Sequence, residues 1–129
     1  MPFDFVHAET RAEQGRKAYQ DGLAAEDIVQ RDYLSRGYEL LAERWRGPGG
    51  EVDLIFQGPE EVVFVEVKKA KTHDIAVTRL SEKQLWRIAR SAEAYVTQIC
   101  NDPFMAIRLD LALTDWAGTV AIRENLVLY

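Results

Sequence analysis

The sequence predicts an α/β fold, a mixed central β-sheet flanked by helices, in one domain spanning residues 1–129. Three observations carry that expectation. Glu51–Phe56 and Glu61–Lys68 are apolar, β-branched runs separated by the turn pair Gly58-Pro59. Helical apolar spacing marks Leu23–Arg36 before them and Ser81–Ile99 after them. Two further strand-like segments close the chain, giving the order α-β-β-β-α-β-β.

Taken in order, Ala8–Tyr19 reads as a helix with a weak apolar face, interrupted or bent at Gly22. In Leu23–Arg36 one side is lined by Ala25, Ile28, Val29 and Tyr33, and Gly37 sits at the position after the last turn that favours glycine. Tyr38–Trp45 is the first strand, and Gly47-Pro48-Gly49-Gly50 is a turn. In Glu51–Phe56, alternation sends Val52, Leu54 and Phe56 one way and Glu51, Asp53 and Ile55 the other. Val62–Lys68 is apolar enough to be a central strand covered on both faces. Lys69–Leu80 reads as a polar loop. Ser81 and Gln84 then have capping-box spacing, ahead of the stripe Leu85, Ile88, Ala89, Ala92, Tyr95, Val96 and Ile99. Ala106–Leu113 and Thr119–Tyr129 are the last strands, the second broken near Glu124-Asn125. Trp45, Trp86 and Trp116 read as core or interface residues ahead of base-stacking platforms, and Asp110 lies mid-strand, with a structural hydrogen-bonding role open to it and no catalytic one assigned.

Composition excludes several classes. Cys100 is the sole cysteine, so no internal disulfide forms, and with only His7 and His73 beside it a zinc site is not expected. The N-terminal residues carry Asp4, His7 and Glu9 with no apolar run, so neither a signal peptide nor a membrane span is expected, and the expected location is cytoplasmic. The net charge of −5 argues against a polyanionic partner, but it is unevenly spread. Residues 44–90 hold nine Lys/Arg against seven Asp/Glu, whereas residues 1–43 hold five against nine and residues 91–129 two against five.

That middle block contains the chemistry. Glu66 and Lys68 lie two apart on one strand and therefore share a face. A hairpin with the four-residue loop 58–61 sets Asp53 opposite Glu66, with Cβ atoms about 5 Å apart. Two facing carboxylates repel unless one is protonated or a cation lies between them. Hard oxygen ligands of this kind suit Mg²⁺, with Mn²⁺ as a substitute. Lys68 beside them is placed to orient or deprotonate a water, or to stabilise a pentavalent transition state. The pattern describes a phosphodiester-hydrolysing site.

Gly50-Glu51-Val52-Asp53-Leu54-Ile55 followed by Val63-Phe64-Val65-Glu66-Val67-Lys68 resembles the PD-(D/E)xK nuclease superfamily. More closely, the chain is similar to the YraN family, small bacterial proteins related to archaeal Holliday-junction resolvases. The match extends to Glu26-Asp27-Ile28-Val29, Tyr33-Leu34, Gly37-Tyr38, Trp45-Arg46, Lys83-Gln84, Arg87 and Arg108-Leu109-Asp110. The resemblance implies a restriction-endonuclease-like core and an endonuclease acting on branched DNA. It implies that Asp53 and Glu66 ligate the metal with the Val67 carbonyl, that Lys68 is catalytic, and that Glu26 adds a carboxylate to the metal or its waters. Relatives carry a basic residue two positions after the lysine; here that place is Ala70, and Lys69 or Lys71 stands in.

For nucleic-acid contact, Arg79, Lys83, Arg87 and Arg90 recur at helical spacing as a phosphate-tracking ridge, and Arg46 flanks the Gly-rich turn. Symmetric cutting of a four-way junction needs two sites, so a homodimer is expected. Two competing expectations are a weakly catalytic nucleic-acid-binding protein of the same fold, and a protein-interaction module using the acidic surface.

Overall fold

The computed structural model describes residues 10–126. Its elements are α1 (Arg11–Ser35), β1 (Glu39–Gly47), β2 (Gly50–Gln57), β3 (Val62–Lys69), α2 (His73–Val77), α3 (Glu82–Gln98), β4 (Ile107–Thr114) and β5 (Val120–Arg123). The five strands form one open sheet in the order β1-β2-β3-β4-β5. β3 and β4 run parallel and every other neighbouring pair is antiparallel, so the sheet is mixed, as in a restriction-endonuclease-like core.

α1 differs from the expected broken helix. It runs unbroken through Gly22, and the expected start at Ala8 lies outside the described residues. Thr10 caps it by accepting from Glu13 N at 3.0 Å, while Thr10 N donates in return to the Glu13 side chain. A mid-helix glycine costs only about 1 kcal/mol. Burial of Ala25, Val29 and Tyr33 against the sheet outweighs that cost. The cluster that holds Val29 and Tyr33 includes Leu54, Phe56, Val63, Val65 and Ala112.

α3 covers the opposite face, where Ile88, Ala92, Tyr95 and Val96 pack on Val52, Ile55, Val62, Phe64 and Leu109. Ile99 leaves the expected stripe: it caps the helix and is exposed. The expected loop 69–80 contains the short helix α2. Thr72 caps it by accepting from Ile75 N at 3.2 Å, and Ala76 is buried with Ala70, Leu111 and Leu113. β5 is shorter than expected; Asn125 takes a positive φ of 54° just beyond it, and residues 127–129 of the expected strand lie outside the described residues.

Two further corrections bear on the site. Val52 packs with Ile55, not with Leu54 and Phe56. Alternation therefore changes phase near Asp53, where β1 also departs from regularity: Arg44 has a φ of 48° and the pairing slips between Leu40 and Ala42. Trp86 and Trp116 are not core residues; both are exposed, while Trp45 packs edge-on against Tyr95 with centroids 5.2 Å apart.

Among the described residues, no helix is long and apolar enough to cross a membrane.

Candidate functional site

The β2–β3 hairpin positions the candidate site. Its register pairs Gln57 with Val62, Phe56 with Val63, Ile55 with Phe64 and Leu54 with Val65, so one further step sets Asp53 against Glu66. Past Leu54 the backbone pairing stops. The Val67 N–H instead donates to Asp53 Oδ2 at 2.8 Å, which fixes the carboxyl beside Glu66.

Glu66 is 7 % exposed, in a strand whose neighbours are apolar on both faces. Its Oε1 accepts from Gln84 Nε2 at 3.3 Å and lies 3.5 Å from Lys68 Nζ. Burial first, and the Asp53 carboxylate second, push the Glu66 pKa up to about 8, with Lys68 offsetting part of the shift. Burial also raises Asp53 above the usual carboxylate range, against the opposing pull of the Val67 N–H, the Glu66 hydrogen bond and Lys68. Each carboxyl perturbs the other, and two facing carboxylates repel unless a proton or a cation lies between them. A cation can take the place of that proton.

Glu26 is carried toward this end by α1, but its carboxylate is engaged: Arg44 Nε and Nη2 donate to Oε1 and Oε2, each at 3.1 Å. Burial raises the Glu26 pKa, Arg44 counters it, and the negative charges of Asp53 and Glu51 add to the rise. Glu26 thus feels Asp53 electrostatically while paired to Arg44. Among the described residues, no three His, Cys, Asp or Glu side chains converge as one metal cluster. The oxygen donors that meet here are the carboxyls of Asp53 and Glu66. Mg²⁺ commonly takes one or two carboxylates and completes its shell with water and phosphate oxygens, so this set fits that ion and does not fit a fully protein-caged one.

Two side chains at the site have roles that the sequence pattern does not assign. Gln84 has the spacing of half a capping box. Ser81 Oγ does accept from Gln84 N at 3.0 Å, but the Gln84 side chain turns to Glu66 instead of back to Ser81. The Lys83-Gln84 match is its one sequence signal. Arg44 has none, because its partner Glu26 lies 18 residues away.

The turn beside the site is clamped to α3. Ser91 Oγ accepts from Gly49 N and donates to Gly50 O, both at 3.0 Å. A Cβ at Gly49 would lie 2.0 Å from the Arg87 carbonyl oxygen, so this approach admits glycine alone. Gly49, Gly50, Glu51, Gln84, Arg87 and Ile88 line a cleft of about 180 Å³ there.

The basic residues spread around this end. Arg46 is exposed and 3.8 Å from Glu51. Lys69 ends β3 half-buried, and Lys71 is exposed. Lys83, Arg87 and Arg90 are exposed on α3. Arg79 is also exposed but precedes the helix, its N–H bonded to Ala76 O at 3.0 Å, because the α2 turn and the Ser81 cap intervene. The ridge is therefore three helical cations plus one in the preceding turn. Asp110 is held in a hydrogen-bond network: it accepts from Tyr33 Oη at 2.6 Å, from Arg108 and from Asn125 N.

A family model described as uncharacterised protein family UPF0102 matches residues 25–114. A UPF0102 protein of Roseobacter denitrificans is 46% identical over 115 residues, 89% of each chain. One of a Ruegeria species is 43% identical over 112 residues, 87% of this chain and 90% of that one. One of Cereibacter sphaeroides is 42% identical over 111 residues, 86% of this chain and 95% of that one.

Proposed function

The chain belongs to the uncharacterised, YraN-like protein family UPF0102, and from its site we propose that it is a divalent-metal-dependent endonuclease hydrolysing DNA phosphodiester bonds, with branched or structured DNA such as four-way junctions as substrate. The observation that carries this reading is the buried Glu66 carboxyl beside the half-buried Asp53, with Lys68 Nζ 3.5 Å from Glu66. A carboxyl buried in an apolar strand and facing a second one on the neighbouring strand costs stability unless a task retains it.

Asp53, Glu66 and the Val67 carbonyl would hold Mg²⁺ or Mn²⁺. Such an ion polarises the phosphoryl oxygen and acidifies a water. Val67 N–H keeps Asp53 in place, and Gln84 fixes the rotation of the Glu66 carboxyl. Lys68 would supply positive charge where a pentavalent phosphate accumulates negative charge, or orient the attacking water. Glu26, tethered by Arg44, serves at the margin by holding water. Arg46, Lys69, Lys71, Arg79, Lys83 and Arg87 take flanking phosphates, and a homodimer supplies the two sites that a junction requires.

The test incubates purified protein with linear, forked and four-way-junction DNA in Mg²⁺, Mn²⁺ or EDTA. Cleavage of the branched substrates that depends on the metal and disappears in Asp53→Asn is expected. An Asp53→Asn protein cutting at the wild-type rate, or no cleavage by wild type with either metal, overturns the reading.

A further inference from the structure

We infer that Trp116 is a stacking plate for an unpaired base beside the cleavage site, so that the substrate carries unpaired nucleotides next to the scissile bond. The inference rests on the nuclease reading and specifies its substrate class.

Position is the first support. β3 and β4 run parallel, with Lys68 paired to Leu113 and Lys69 to Thr114. Ala70 N donates to Thr114 O at 3.1 Å. Trp116 is two residues past Thr114, so its turn stands at the same end of the sheet as Lys68, one strand over.

The build of that turn is the second. Asp115 Oδ1 accepts from Ala117 N at 3.0 Å and Thr119 N at 2.8 Å, and Gly118 N donates to Asp115 O at 3.1 Å. Gly118 holds a φ of 81°, and a Cβ there would lie 3.6 Å from Ile28 of α1. From the other side, His73 Nε2 meets Thr119 O at 2.8 Å. The turn is thus tied by its own Asp115 bonds and by His73 of α2, yet Trp116 is 70 % exposed. A rigid support with its largest ring turned to solvent is preorganised for a contact.

The chemistry of that contact follows from the neighbours. Asp115, Ala117, Gly118 and Thr119 are small or polar, with the Asp115 carboxylate occupied by backbone N–H groups. A stable protein interface needs about 800 Å² from each partner around an apolar centre, and the turn itself supplies one ring among polar or small residues, with Ile75 and Val77 of the five-residue α2 as the exposed apolar side chains of the helix that His73 ties to it. A base needs only one π-face, and stacking on an aromatic side chain adds affinity regardless of sequence. In continuous duplex that face is covered by neighbouring bases, so only an unpaired or splayed nucleotide is available.

The experiment measures binding in EDTA, so that chemistry plays no part, for wild type, Trp116→Phe and Trp116→Ala on single-stranded, forked and continuous-duplex DNA of equal length. Tryptophan emission is followed in a Trp86→Phe protein, leaving Trp45 and Trp116. Quenching by single-stranded and forked DNA is expected, and it should be absent with duplex. Relative to duplex, Trp116→Ala should weaken binding of DNA with unpaired bases by roughly tenfold or more, and Trp116→Phe should retain most of that preference. An equal decrease on all three DNAs, no decrease, or a change in oligomeric state with Trp116→Ala overturns the inference. Failure of the nuclease reading is seen separately, as absent cleavage with metal while the binding preference persists.

Discussion

Glu66→Gln should stabilise the metal-free protein at neutral and alkaline pH while abolishing its response to metal. The reason lies in what the buried carboxyl does as pH rises. Folding raises Glu66 from a reference of 4.5 to about 8. Below the lower value both folded and unfolded chains hold the proton, and the site costs nothing by linkage. Between the two values the unfolded chain has released its proton while the folded chain retains it, so stability falls as pH rises, by at most about 1.4 kcal/mol per pH unit for one proton. At pH 6.5, two units above the reference, the wild-type penalty is at most about 2.7 kcal/mol, a ceiling that conformational relaxation lowers. Glutamine mimics the protonated acid: its amide can donate toward Asp53 and its oxygen can accept from Gln84. Urea melts of both proteins at pH 5.0, 6.5 and 8.0 in EDTA read the difference directly, and subtraction removes the groups that titrate alike in both. The difference should grow steadily from pH 5.0 to 8.0 in favour of the variant. Adding Mn²⁺ should reverse it at pH 8.0, because a cation binds the ionised pair and glutamine supplies no charge. A difference that stays flat with pH would refute the reasoning, since it would mean that Glu66 ionises in the folded chain as it does in the unfolded one.

Lys68→Ala should lower turnover on a junction by about a hundredfold or more with binding changed less than about threefold, measured by single-turnover cleavage alongside gel-shift titration. Charge removal at Lys83 and Arg87, with Arg79 as a third position, should weaken DNA binding and flatten its dependence on salt by about one unit of log–log slope for each phosphate no longer neutralised; unchanged slopes would point to Arg46, Lys69 and Lys71 instead. Gly49→Ala should destabilise the fold by about 2 kcal/mol or more in denaturant melts, because the new methyl meets the Arg87 carbonyl oxygen and forces the turn off α3.

The readable part of this molecule is the part specified by neighbours in sequence. β3 announces itself through Val62–Val65, and the length of the 58–61 loop fixes the hairpin register, so the opposition of Asp53 and Glu66 follows from counting back along the two strands. What could not be read depends on residues meeting across the fold. Gln84 satisfies a local rule, the capping box, that would have consumed its side chain; the tertiary partner Glu66 wins because a buried carboxyl oxygen needs a donor, whereas an exposed helix N-terminus has water. Gly22 marks a break by propensity, but packing of Ala25, Val29 and Tyr33 carries α1 through it. Trp86 and Trp116 read as core or interface by residue type, and their exposure removes the core reading. The backbone irregularities are not scattered. The phase change near Asp53, the end of β2–β3 pairing after Leu54, and the positive φ of Arg44 all fall within the same few residues of the β1–β2 ribbon. Each departs from the regular strand that local pattern favours. Together they free the Val67 N–H for Asp53 and bring Arg44 onto Glu26. A fold under selection for stability alone would extend the ladder through this point. That it gives up ladder pairing to place two carboxyls and their donors is the physical argument for treating this end of the sheet as the working part of the protein.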